Sequence, residues 1–224
     1  MRVFIDFRRF ARASARLAAF WVVTGLVAFS SLANVANAQT AKEAHILVVG
    51  DSLSAGYGLN SGEGWVDLLA KKLDAQKSRA KVTNASISGD TTAGGVARLP
   101  ALLAKHKPTH VVIELGGNDG LRGSPVATAK ANLEKMVELS QKAGAKVVLV
   151  GMRMPPNFGP TYTSAFEAMY RDVAKATKSA LVPFFLEKLG TDLKYFQPDR
   201  IHPTREAQPM MLETVWPVLL GVLK

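Results

Sequence analysis

The sequence predicts an α/β fold in which helices cover both faces of a parallel sheet. Three observations carry this. Five short runs read as strands, and four of them are mostly apolar and rich in β-branched residues, as strands buried on both faces are. Five longer segments with helical spacing of apolar residues alternate with them, the order that crossover connections produce. No repeat, low-complexity tract or linker interrupts the chain after residue 40, so the alternation belongs to one domain, residues 39–224.

Each element has its own signal. HILVVG, residues 45–50, is an apolar run closed by glycine and forms the first strand. WVDLLAKKL (65–73) has apolar residues at helical spacing, and KVTNA (81–85) is the second strand. Residues 95–106 read as a helix, although Pro100 opposes one. THVVIELGG (109–117) is the clearest strand. Residues 127–142 form an amphipathic helix that Gly144 stops. AKVVLVGM (145–152) is the fourth strand, 165–178 the next helix and ALVPFF (180–185) the last strand. The tail, 206–223, reads as a helix bent by Pro209 and Pro217. In open α/β sheets ligands bind beyond the carboxyl ends of the strands. The loops to inspect are therefore 50–64, 86–94, 116–124, 151–162 and the segment after Phe185.

The first 38 residues differ in kind. Arg2, Arg8, Arg9, Arg12 and Arg16 precede an apolar stretch, 17–29, and then SSLANVANA, with small residues Ala36 and Ala38 where a signal peptidase reads. This predicts a signal peptide, residues 1–38, cleaved after Ala38, and a periplasmic or secreted product. The competing reading is a membrane anchor, but the apolar stretch is shorter than the ~20 residues a spanning helix needs. The leader carries +4 of the chain's +10, leaving +6 on the rest. That mild excess, without a Lys/Arg run, suits a solvated surface and excludes a nucleic-acid partner. The chain has no cysteine, which removes disulfides, cysteine-ligated zinc and a thiol nucleophile together.

Four strand-end segments carry possible chemistry. GDSLSAGYG places Ser52 just past the first strand, near a helix N-terminus that favours developing negative charge. Taken alone, Ser52 reads better as a helix cap. The loop is glycine-rich but lacks both dinucleotide and phosphate-loop spacing, and the G-x-S-x-G elbow is absent. In NASISGDTT, Gly89 lets a backbone N–H approach a substrate oxygen, or is a turn glycine. In ELGGNDG, Asn118 is either a turn residue or an amide donor beside the nucleophile. In PDRIHP, Asp199 precedes His202 by three residues between stiffening prolines. A carboxylate so spaced can hold one imidazole nitrogen and leave the other free to face a serine. His45, His106 and His110 flank strands or end a helix and look structural.

Taken in order, GDSL, a later glycine, GGND and D-x-x-H resemble the SGNH hydrolases, also called the GDSL esterase family. The resemblance spans essentially the whole chain after the leader. GDSLSAGYGL, NASISGDTT, ELGGNDGLRG and IHPTREAQP are most similar to the branch with periplasmic acyl-CoA thioesterase, lysophospholipase and arylesterase activities. It implies a flavodoxin-like three-layer α/β/α sandwich with a five-stranded parallel sheet. It implies Ser52 as nucleophile, His202 as general base and then acid, and Asp199 as its orienter. The oxyanion hole would comprise the N–H groups of Ser52 and Gly89 and the amide of Asn118. No metal or cofactor is implied, and the partner is a small-molecule acyl ester or thioester.

The segment Gly120-Leu121-Arg122-Gly123 resembles a mobile loop over the acyl chain, and Asp119, just before it, joins Leu121, Arg122 and Gly123 as a substrate-binding candidate. Met154 and Pro155, with Met152, either wall an acyl groove or, for the methionines, pack in the core. A monomer is expected, with transient membrane-surface contact for lipid substrates. A short-chain or carbohydrate acetyl esterase of the same fold, and a non-catalytic acyl- or sugar-binding protein, are the rival functions.

Overall fold

The computed structural model describes residues 43–224. The predicted leader and its cleavage point lie outside the described residues. Five strands form one parallel sheet: β1 (His45–Gly50), β2 (Lys81–Asn84), β3 (His110–Glu114), β4 (Lys146–Val150) and β5 (Ala180–Val182). Their order is β2-β1-β3-β4-β5. β1, β3 and β4 are inner strands and almost wholly buried, hence their continuous apolar runs. β2 lies at an edge and is half-exposed, hence the mixed sequence KVTN.

The longer helices are α2 (Trp65–Ala75), α3 (Thr92–His106), α5 (Val126–Lys142), α6 (Pro160–Thr177) and α7 (Gln208–Leu223), and the two short ones are α1 (Ser52–Ala55) and α4 (Gly117–Leu121). α2 and α7 pack together on one face, while α3, α5 and α6 form the other layer. Trp65, Phe166, Tyr170 and Phe185 are the largest fully buried side chains. From β1 the chain first turns to the edge strand β2 and then crosses back to β3. A crevice opens where the connections part, beyond the carboxyl ends of β1 and β3.

Several boundaries depart from the sequence expectation. α3 begins at Thr92, not at 95, because Thr91 caps it with a hydroxyl that accepts from Gly94 N at 3.3 Å. The glycine pair is a packing feature: a Cβ on Gly95 would stand 2.7 Å from Met136 Sδ. Pro100 remains inside α3, on its exposed side, where water can solvate the carbonyl that loses its partner. α6 begins at Pro160, since proline suits the first helical turn. Pro209 likewise sits in the first turn of α7, so only Pro217 lies in the helix interior. The third strand ends at Glu114; Gly116, at φ +115°, turns the chain into α4. Asn118 thus sits on a short helix and not in an open loop.

His45 and His110 are engaged structurally. His45 Nε2 pairs with Thr83 Oγ1 at 2.8 Å, and His110 Nε2 donates to Val222 O at 3.0 Å. Burial lowers the pKa of both.

Candidate active site

β1 ends at Gly50, and the chain turns at once into α1. Only glycine fits: a Cβ would stand 2.7 Å from Ser54 Cβ and 2.8 Å from Glu114 Oε2. Asp51 caps the helix, its Oδ1 accepting from Leu53 N at 3.0 Å. The capping role that suits Ser52 in the sequence therefore falls to its neighbour. Ser52 becomes the first helical residue, among N–H groups that have no intrahelical acceptor. Its Oγ lies 2.9 Å from His202 Nε2.

His202 reaches the serine from the far end of the chain. Residues 196–203 form a short hairpin-like turn, closed by a bridge between Phe196 and Pro203 and by Gln197 N donating to His202 O at 2.8 Å. Asp199 Oδ1 accepts from Ile201 N (2.9 Å) and His202 N (3.0 Å), while Oδ2 stands 2.7 Å from His202 Nδ1. Hydrogen bonds from the His202 backbone and ring, then Ile201 N, hold the Asp199 carboxyl down at about 2. An ionised carboxylate only accepts, so Nδ1 carries the proton. Nε2 then offers its lone pair to the Ser52 hydroxyl. The Tyr57 ring lies against the imidazole, with centroids 4.3 Å apart.

Two buried carboxyls stand behind this line. Asp51 is 3% exposed and Glu114 fully buried. Glu114 Oε2 accepts from Ser54 Oγ at 2.7 Å, and Trp65 Nε1 donates to the same hydroxyl at 3.2 Å. Among the described residues Glu114 Oε1 has no hydrogen-bond partner. Burial lifts the Asp51 carboxyl to about 6. Burial, reinforced by Asp51, lifts Glu114 well above the usual carboxylate range. The burial of Glu114 carries no signal in the sequence, because an acid in a strand reads as exposed until the strand is known to be central.

Asn118, in the first turn of α4 just beyond β3, projects into the same crevice. Its Nδ2 donates to Asp51 Oδ2 at 3.0 Å and to Asp90 O at 2.9 Å. The amide is thus aimed by partners on two neighbouring loops. Gly89, at φ +78°, has nothing within 4 Å of where a Cβ would be. Its loop is pinned at two places. Arg98 pairs with Asp90 at 2.7 Å and also donates to Ala85 O and, at 3.3 Å, to Gly50 O. Arg122 Nη2 donates to Gly89 O at 3.1 Å.

A cleft of about 350 Å³ opens over Ser52, Asn118 and His202. Leu121, Met154 and Pro155 line it, as the sequence suggested. Met154 is only 8% exposed and also belongs to the core, so groove and core are one place here. Three of the suggested residues lie elsewhere. Asp119 is buried, its carboxylate accepting from Thr92 Oγ1 (2.6 Å) and Thr92 N (2.9 Å). Arg122 is turned to the Gly89 carbonyl, and neither it nor Gly123 reaches the cleft wall. Leu121 is the last residue of α4, and Arg122 and Gly123 follow it. Leu186, Phe196 and Ile201 complete the apolar wall. Sequence reasoning did not name them; their only signal was the position of this segment after the last strand.

Residues 48–208 match the sequence profile of the GDSL-like Lipase/Acylhydrolase family. The chain is 52% identical over 202 residues to Esterase TesA of Pseudomonas aeruginosa, covering 90% of this chain and 98% of that protein. It is 44% identical over 168 residues to Thioesterase 1/protease 1/lysophospholipase L1 of Escherichia coli K12, covering 75% and 79%. The crystal structure of the psychrotrophic esterase EstA from a Pseudoalteromonas species, inhibited by monoethylphosphonate, is similar at a TM-score of 0.77. It has 42% identity, covering 80% of this chain and 98% of that one.

Proposed function

The chain belongs to the GDSL-like lipase/acylhydrolase family, and from that premise we propose that it is an exported serine esterase acting on acyl esters and thioesters through Ser52, His202 and Asp199. The observation that carries the proposal is the hydrogen-bonded line from Asp199 through His202 to Ser52 at the mouth of an apolar cleft. Nucleophile and base stand within direct proton-transfer reach.

In the proposed reaction Ser52 Oγ attacks the carbonyl carbon, and its proton passes to His202 Nε2. Asp199 holds the Nδ1 proton and stabilises the imidazolium that results. The carbonyl oxygen becomes an oxyanion facing the N–H groups of Ser52 and Gly89 and the amide of Asn118, which gives up one of its two resting acceptors, Asp51 Oδ2 or Asp90 O, to donate to it. Such donors lower the barrier because the charge exists only past the ground state. Collapse breaks the bond to the alcohol or thiol, which takes the proton from His202. Water, deprotonated by His202, then attacks the acyl-enzyme, and Ser52 recovers its proton as the acid leaves.

The acyl tail lies along Leu121, Met154, Leu186, Phe196 and Ile201. This wall favours acyl chains over an acetyl group, since each methylene buried contributes about 0.8 kcal/mol. Aryl esters, acyl-CoA and lysophospholipids are the expected substrate types. The protein acts as a monomer, with transient contact to lipid surfaces, and residues 39–224 are the exported domain.

Two measurements test this. Purified protein should hydrolyse p-nitrophenyl esters and be labelled by an organophosphonate; Ser52→Ala should lose both, with a fall of several orders of magnitude in kcat. Labelling that persists in Ser52→Ala would move the nucleophile elsewhere. The intact mass of protein recovered from the periplasm should correspond to a chain that begins at Gln39, and a full-length, membrane-retained chain would refute removal of residues 1–38.

A further inference from the structure

We infer that Gln197 is a positioning residue for His202, an amide clamp that ties the histidine turn to the serine loop. The inference rests on the proposed role of His202.

Ser52 and His202 are 150 residues apart, and their 2.9 Å contact joins two separate loops. Asp199 cannot fix that distance, because it lies on the same turn as His202 and moves with it. Something must join the turn to the loop that follows Ser52. The Gln197 side chain does so. Its Nε2 donates to Tyr57 O, in the serine loop, at 2.9 Å, and to Pro203 O, next to His202, at 3.1 Å. Both amide hydrogens are thereby used, one on each side of the junction.

The serine loop is shaped to receive this side chain. Gly58 lies at φ +74° beneath the Gln197 amide, where a Cβ would collide with Oε1 and stand 2.9 Å from Nε2. The next residue back, Tyr57, gives the clamp its acceptor through its carbonyl and lays its ring on the imidazole. Backbone and side chain of Tyr57 thus engage the two ends of the histidine turn. Within the turn, Gln197 N also donates to His202 O, so one residue sets both its internal closure and its attachment.

Only a side chain with two donors and this reach fits the geometry. Alanine removes both bonds. Glutamate keeps the shape but presents oxygens to two carbonyl oxygens and pushes the turn away. Displacement of reacting groups by about 1 Å can lower a rate by roughly 100-fold. Phe196 and Ile201 ride on the same turn and wall the cleft, so a long acyl tail would feel the displacement too, whereas an acetyl group, a single methyl beyond the carbonyl, reports the serine–histidine contact with least involvement of that wall.

The test is Gln197→Ala and Gln197→Glu, assayed with p-nitrophenyl acetate. Active sites are counted by phosphonate titration, so that kcat is expressed per reactive serine. Both variants should lose about 10- to 100-fold in kcat per site with KM within about twofold, glutamate at least as severely. A purely structural role would lower the fraction of reactive sites and leave kcat per site unchanged, which would overturn the inference. So would a KM rise that accounts for the whole loss. Gln197→Glu is nearly isosteric, so it carries the test if the alanine variant does not fold. Ser52→Ala run in parallel separates the two readings. If it remains active, the assignment of Ser52 and His202 fails; if it is inactive while both Gln197 variants match the parent, only the clamp fails.

Discussion

Gly120→Ala should shorten the acyl chain that this enzyme accepts. Gly120 lies in α4 with Met154 and Phe166 against it. A Cβ there overlaps Met154 Sδ, stands 2.8 Å from Met154 Cε and 2.9 Å from Phe166 Cε2. Non-bonded carbons settle at about 3.5–4.0 Å, so the neighbours must yield by about 1 Å. Phe166 is fully buried between Tyr162 and Tyr170 and has nowhere to go. Met154 is unbranched, and its open side is the cleft. Its thioether therefore swings into the space of the acyl tail. Loss of room for one or two methylenes, at about 0.8 kcal/mol each, lowers kcat/KM roughly four- to fifteenfold for long chains. Acetyl esters, whose acyl part is a single methyl beyond the carbonyl, should react as before. A p-nitrophenyl ester series from acetyl to palmitoyl reads the effect, with Tm on the same sample. An equal fall at every length would mean that Met154 yields into the core. No change at any length would remove the cleft from the acyl site.

Two further outcomes follow from the same geometry. Asn118→Ala should lower kcat by about 100- to 1,000-fold with little change in KM, as loss of one oxyanion donor does. It should also cost roughly 1–3 kcal/mol of stability, because Asp51 Oδ2 and Asp90 O lose a donor. A variant that loses stability but keeps kcat would reduce Asn118 to a structural tie. The second concerns pH. With Asp51 raised from 3.8 to about 6, the folded chain binds more protons than the unfolded one between those values. Stability from this group therefore falls as pH rises through that window. Asp51→Asn keeps the helix cap and should flatten the Tm–pH profile between about 4 and 6. A variant profile as steep as the parent's would refute the assignment.

Much of this molecule was legible in one dimension. Inner strands of a parallel sheet are buried on both faces, so HILVVG, HVVIE and KVVLV stand out by composition. The proposed site was legible as a set of candidates because folds of this class present function beyond strand ends, where four segments supplied Ser52, Gly89, Asn118 and the Asp199–His202 pair. Helix starts at Thr92 and Pro160 were less legible, because glycine and proline punctuate a sequence while serving inside a helix. The mild error over Asp119 has the same root: its neighbours 118 and 121 face the cleft, but a helix turns each successive side chain by about a quarter of a circle.

What only the tertiary structure decided is how distant residues divide their roles. Sequence gave Ser52 two readings, cap or nucleophile; the fold settled the cap on Asp51 and brought the Ser52 hydroxyl to an imidazole 150 positions away. It buried Glu114 beside Asp51, placed Met154 between core and cleft, and laid Gln197 across the two loops. The physical reason is range. Strand and helix preference, capping and turn chemistry act within a few residues and are written locally. Burial, carboxyl pairing and the alignment of a serine with a histidine depend on which strands become neighbours, and that is fixed only when the sheet closes in the order β2-β1-β3-β4-β5.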